Sequence, residues 1–241
     1  MLIALEFLSG IAGGVIAILG GLGAAISWAV ATLSSSRSSR MIGASSVLAW
    51  VMIVGFVASI GPAIAAAPSA PPLEAGAIAG LVVIGLSYSA GLLLAYLALA
   101  VGRVSIVAPI VSTEGAMTAG LSVVLGDPIT TLTAIILAVI ATGIVLAAFE
   151  RAADAPEGTP LEAPPEALPA SWTHDPAKNR RAVLLAISAA VAFSVGLISS
   201  ARLGASLPVA WIVAGPRVVG IVVIALPLVL RGRLHISRRA L

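Results

Sequence analysis

The chain has 241 residues, of which 60% are apolar and only 10% charged, with a formal net charge of +3 and a mean hydropathy of +1.15. A water-soluble core of this size could not turn so much apolar surface inward, so the expected solvent is a lipid bilayer. The lack of cysteine excludes disulfides and thiol chemistry, and no basic face with interleaved aromatic residues points to nucleic acid.

A span needs about 20 mostly apolar residues, because a hydrocarbon core of ~30 Å is crossed at ~1.5 Å per residue. Seven stretches qualify: residues 10–33, 42–66, 76–100, 104–126, 130–149, 182–201 and 208–230. Backbone groups in lipid must be satisfied internally, and runs of this length without period-2 alternation predict helices. The expected fold class is therefore all-α, a polytopic membrane helix bundle. The first span begins almost at Met1, has no basic leader and is too long for a signal peptide. Gly10/Gly14 in it and Gly76/Gly80 in the third are pairs that let helices approach closely or form a dimer face. In the third span Tyr88 and Tyr96, with Ser87 and Ser89, supply either cavity hydroxyls or polar contacts between helices.

The fourth span carries Glu114 near its middle. A carboxyl group at that depth is costly and faces the bundle interior or a wet cavity. Thr118, four residues on, shares its helical face. Pro109 removes one backbone hydrogen bond and is expected to free the carbonyl of Ser105. Burial disfavours a charged carboxylate, which suits a proton or substrate site; a structural carboxyl bonded to neighbouring helices is the other reading.

Residues 150–181 differ from their surroundings. They are rich in Pro, Glu and Ala, and prolines at 156, 160, 164, 165, 169 and 176 forbid a continuous helix. This stretch reads as a flexible aqueous linker; His174 within it and His235 in the tail read as solvated. The seventh span holds Arg217 directly after Pro216. An arginine at mid-span costs roughly 2.5–3.5 kcal/mol and should find a partner or water. Glu114 is the only other charge expected at comparable depth, so the two are expected to share a polar cavity as an ion pair or anion site; snorkelling to an interface is the alternative for Arg217.

The sixth and seventh spans repeat the first and second. At an offset of 165 residues Ala24–Arg37 lies over Ala189–Arg202, with Val30/Val195, Ser34-Ser35/Ser199-Ser200 and Arg37/Arg202 matching and Trp28 meeting Phe193. The same offset places Val54-Gly55 over Val219-Gly220. Trp28 and Phe193 either line a central cavity from related helices or pack in the bundle. Five spans precede the linker, so a second copy starts from the opposite side of the membrane, an inverted repeat of the kind secondary transporters use. That organises the chain as residues 1–149, a first five-helix repeat; 150–181, the linker; and 182–241, the first two helices of a second repeat with a basic tail. The expectation is a fragment, a truncated product, or a unit completed by another chain. Loop arginines (Arg37, Arg40, Arg103, and the tail Arg231, Arg233, Arg238 and Arg239) gather with the linker on one side, which places the N-terminus outside and the linker and tail inside.

From Tyr96 to Glu150 the sequence resembles the end of an EamA repeat of the drug/metabolite transporter superfamily. The points of similarity are the short turn Gly102-Arg103, a helix with Pro109 and the mid-span Glu114, the turn Gly126-Asp127-Pro128 and a small-residue helix after it. Gly23-x-x-x-Ser27-Trp28 is similar to the opening of such repeats. The resemblance implies ten helices in two inverted five-helix repeats with both termini in the cytoplasm, opposite to the charge count. Asp127 stands where a Gly-Glu-Arg/Lys turn is usual.

The function expected is a multi-pass plasma-membrane transporter of the drug/metabolite type, moving small metabolites or amphiphilic compounds by alternating access with proton coupling. Its site would draw on Glu114, Arg217, Thr118, Trp28, Phe193 and Tyr88. The alternative is a non-transporting remnant or an assembly subunit. Partners are the lipid bilayer, a small-molecule substrate, a proton, and a second copy or another chain; no cofactor and no nucleic acid are expected. A retinal protein is excluded because the only lysine, Lys178, lies in the linker. An enzyme is not expected, since no mid-span histidine or cysteine offers metal or nucleophile chemistry.

Overall fold

The computed structural model describes residues 2–128, 130–153 and 176–235, and among these the regular structure is helical. The helices are α1 (Leu2–Ile42), α2 (Ala44–Ala66), α3 (Ala75–Val101), α4 (Val104–Val111), α5 (Glu114–Val124), α6 (Thr131–Ala153), α7 (Pro176–Gly204), α8 (Val209–Gly220) and α9 (Leu226–Leu230). Six helical stretches are long and apolar enough to cross a membrane. The 23-residue α6 adds a seventh rod. The protein is thus an all-α, multi-pass membrane helix bundle.

Local chemistry sets the breaks. α1 runs 41 residues, roughly 60 Å at 1.5 Å per residue, well beyond the expected 10–33, because no proline interrupts it. It stops at Gly43, whose φ of 85° is open to glycine and not to its neighbours; this single residue joins α1 to α2. α5 ends at Gly126, with φ 89°, and the Asp127 N–H reaches back to the Ser122 carbonyl at 3.0 Å, the closure that a glycine past a helix end permits.

Two expected spans are not single helices. Residues 104–126 form α4 and α5, broken by a turn at Ser112-Thr113. Pro109 inside α4 withholds a donor, and the Ser112 and Thr113 hydroxyls bond back to the carbonyls of Ala108 and Ile110, at 2.9 and 2.7 Å. Residues 208–230 form α8, a π-helical turn over Ile221–Ala225 and α9. Pro227 lacks the N–H that would continue the ladder, and a one-residue register shift absorbs that loss.

The core lies between α2, α3, α4 and α7, where Leu48, Met52, Val107 and Phe193 are fully buried. α3 and α7 pack antiparallel along their whole length. Gly80 faces Leu203, Tyr88 faces Gly196, Phe193 faces Gly91 and Ala182 faces Gly102. Small residues let the two backbones close up, as van der Waals packing in lipid requires.

Helix ends tie the bundle together. The Arg40 guanidinium donates to the carbonyls of Leu99 (3.2 and 3.1 Å) and Gly102 (2.8 Å) at the end of α3. The Trp211 indole N–H donates to the Ala63 carbonyl at 3.0 Å. At the opposite membrane end Arg202 lies 3.8 Å from Asp127. The first and third loops therefore meet at one end and the fourth and sixth at the other, as alternating spans demand.

Helix extends into the expected linker from both sides, to Ala153 and from Pro176. Residues 154–175, with His174, and the tail arginines Arg238 and Arg239 lie outside the described residues. His235 folds against α2, its N–H on the Ser46 hydroxyl and its carbonyl accepting from the Trp50 indole, both at 3.4 Å.

Residues related by the 165-residue offset meet one another. Trp28 and Phe193 pack edge to face, centroids 6.1 Å apart at 78°. Arg217 and Met52 touch, Nη1 to Sδ at 3.9 Å. Arg217 also lies over Gly55, and Met52, its counterpart, lies over Gly220, the counterpart of Gly55. These reciprocal contacts match an inverted-repeat arrangement.

Candidate functional site

The break in the fourth span places Glu114 at the first residue of α5, with its backbone turned toward α7. Its carbonyl accepts from two hydroxyls, Thr118 at 2.6 Å and Ser194 of α7 at 3.0 Å. Its carboxyl oxygen Oε2 is buried and has no hydrogen-bond partner. Such an atom is costly to leave unmet. It is the point that a proton or a cationic group would satisfy.

Across the bundle, Arg217 sits half-buried on α8. Its guanidinium lies in the notch left by Gly55, where even a Cβ would come within 3.1 Å of Nε. It lines a cavity of about 280 Å³ together with Met52, Tyr88, Ser200, Ile212 and Val213. Glu114 is not among the cavity's lining residues, and the two charges form no ion pair. Tyr88 is close enough to feel both.

The six residues singled out in the sequence thus fall into linked groups. Glu114 and Thr118 share the start of α5. Phe193, 1% exposed, is the hub of an aromatic cluster with Trp28 on one edge and Tyr88 on another, at 5.8 Å and 62°. Phe193 packs and lines no described cavity. Trp28, 43% exposed, lines a small void of about 40 Å³ with Ser35 and Tyr96. Tyr88 and Arg217 share the larger cavity.

Two contributors escaped the sequence reading. Ser194 ties α7 to the broken span, and one serine among many in a small-residue helix carries no signal of that. Met52 lies against Arg217, and the 165-residue offset, extended by three residues from Gly55/Gly220, would have found it.

Among the described residues no group of three or more histidines, aspartates or glutamates is placed to hold a metal ion. Fold and site together define a multi-pass helix bundle with a discontinuous span and charged groups held inside it. The model of the EamA-like transporter family matches residues 15–149, more than half of the chain, and the chain belongs to that family. No curated protein and no solved structure matches it.

Proposed function

We propose that the chain acts as a plasma-membrane transporter of the drug/metabolite type, moving small metabolites or amphiphilic compounds by alternating access with Glu114 as its proton site. The observation that carries this reading is the buried, unpartnered Glu114 Oε2 at the break of the fourth span. Intramembrane carboxyl groups mark proton relays and substrate paths, and discontinuous helices are where transporters build such sites. The reciprocal contacts of Trp28/Phe193 and Met52/Arg217 support two inverted halves that could rock about the interface between them.

The test is uptake and efflux in vesicles carrying the whole chain and a trapped pH dye, screened against amino acids, nucleosides and cationic drugs. The wild type should move one class with a matching proton flux, and Glu114→Gln should lose the dependence on the pH gradient. Undiminished, still proton-coupled flux in Glu114→Gln would sink the assignment.

An assembly subunit is the second reading, favoured by α1. Its described apolar side chains from Val15 to Leu33, such as Ile16, Leu19 and Ile26, stand exposed along the helix. Cross-linking in native membranes that traps α1 against further helices, with no flux in the screen, would decide for it.

A further inference from the structure

We propose that the cavity at Arg217 is an anion subsite, which takes the carboxylate of a soluble organic acid whose apolar body lies against Ile212, Val213 and Met52. The inference deepens the transporter reading and rests on it.

Arginine stays charged in a protein, and a guanidinium within a span should have a partner. No described carboxylate lies within ion-pair distance of Arg217. Its one described hydrogen-bond contact is with the Met52 thioether at 3.9 Å, a weak acceptor. The side chain lies across α2 in the Gly55 notch, at the middle of that helix.

Two hydroxyl-bearing residues, Tyr88 and Ser200, line the same cavity. Tyr88 brings a hydroxyl with no described hydrogen-bond partner, on a ring held by Phe193 and Gly196. The Ser200 hydroxyl directs its proton to the Gly196 carbonyl at 2.8 Å, which leaves its oxygen at the wall. The lining thus holds one fixed cation, Arg217, and no carboxylate; Ser200 turns an acceptor to it, Tyr88 can donate, and the other lining residues are apolar. A guanidinium offers a planar fork of donors that matches a carboxylate, and a tyrosine in the same lining can add a hydroxyl donor. The volume of about 280 Å³ leaves room for an apolar body behind the head.

The test measures binding without flux. The whole chain in a neutral detergent is unfolded thermally, followed by tryptophan fluorescence, with phenylacetate, 2-phenylethanol or phenethylamine. These probes share one apolar body and differ in the head. Phenylacetate should stabilise the wild type and the other two should not. Arg217→Ala should abolish the effect. Because that variant leaves a void and could fold poorly, Arg217→Lys and Tyr88→Phe are read beside it. Both keep the shape, and each should raise the half-saturating phenylacetate concentration about tenfold, the loss of one charge-assisted hydrogen bond.

Equal stabilisation by 2-phenylethanol, or unchanged phenylacetate binding in both conservative variants, overturns the proposal. Stabilisation by phosphatidylglycerol but not by phenylacetate gives the cavity to a lipid headgroup and overturns the soluble-acid assignment. The two readings also fail separately. Flux without phenylacetate binding removes the anion subsite alone. Phenylacetate binding without flux of any screened compound removes transport alone.

Discussion

Two antiparallel seams run through the bundle on the same device, a glycine beneath a large side chain, and they end in opposite states. In the α3–α7 seam the large partners of Gly91 and Gly196 are the rings of Phe193 and Tyr88. The Phe193 ring closes over the backbone and is buried to 1% exposure; the Tyr88 ring covers Gly196 and also borders the cavity of the second seam. In the α2–α8 seam the partners of Gly55 and Gly220 are Arg217 and Met52, and a cavity of about 280 Å³ stays open beside them. A glycine notch therefore does not decide whether a seam is dry. What fills it does. Flat rings tile a helix surface, whereas a guanidinium must keep its donors directed at something polar.

The sharpest way to break the closed seam is Gly91→Ala. The added Cβ would meet Phe193 at 2.7 Å, and a fully buried ring has nowhere to retreat. Overpacking of this kind costs about 1–3 kcal/mol, read as a lower unfolding midpoint in detergent. Gly23→Ala on α1 is the matched control, because nothing lies within 4 Å of its added Cβ; its midpoint should not fall. Equal losses in the two variants would mean that glycine flexibility, and not the ring, sets the cost.

That contrast also marks what could be read before the structure. Hydrophobic run length located every rod, because crossing a bilayer leaves a chain little freedom. It missed the interruptions within rods. Pro109 announced a lost hydrogen bond, yet whether a helix bends or breaks depends on the local alternatives, here the Ser112 and Thr113 hydroxyls. Repetition named Trp28 and Phe193 as a pair, since related positions near a common axis meet. The offset could not say which glycine each large residue would cover, because that depends on helix rotation. Glu114 and Arg217 were found as costly charges, and depth alone could not tell that they would not share one cavity.

A tie outside both seams holds the end of α3 in place. Arg40 gives three hydrogen bonds to the carbonyls of Leu99 and Gly102, groups that a helix end leaves without partners. Removing them by Arg40→Ala should cost about 1–2 kcal/mol, and hydrogen exchange should quicken at the last turn of α3. Arg40→Lys restores the charge without the fork and should recover only part of the loss. Full recovery by lysine would show that charge at the membrane surface, not carbonyl capping, is what matters.

The smallest expected effect belongs to Ser194, and it separates the role of α7 as a wall from its role as a support. The hydroxyl has one proton and two acceptors in reach, Ala190 of its own helix at 2.8 Å and Glu114 of the broken span at 3.0 Å. Ser194→Ala removes the interhelical choice and leaves the packing volume nearly intact, so stability should fall by only about 0.6 kcal/mol, the usual worth of such a bond in lipid. The larger change should be local. Without that tie, the turn at Ser112-Thr113 is held by its own hydroxyl back-bonds, and hydrogen exchange over residues 112–118 should rise while the α3–α7 seam stays protected. Thr118→Ala removes the other hydroxyl on the same carbonyl and should act non-additively with Ser194→Ala, since both serve one oxygen. Uniform loosening of α7 in place of a local rise would make Ser194 a packing residue, and the position of Glu114 would then rest on the α4–α5 turn alone.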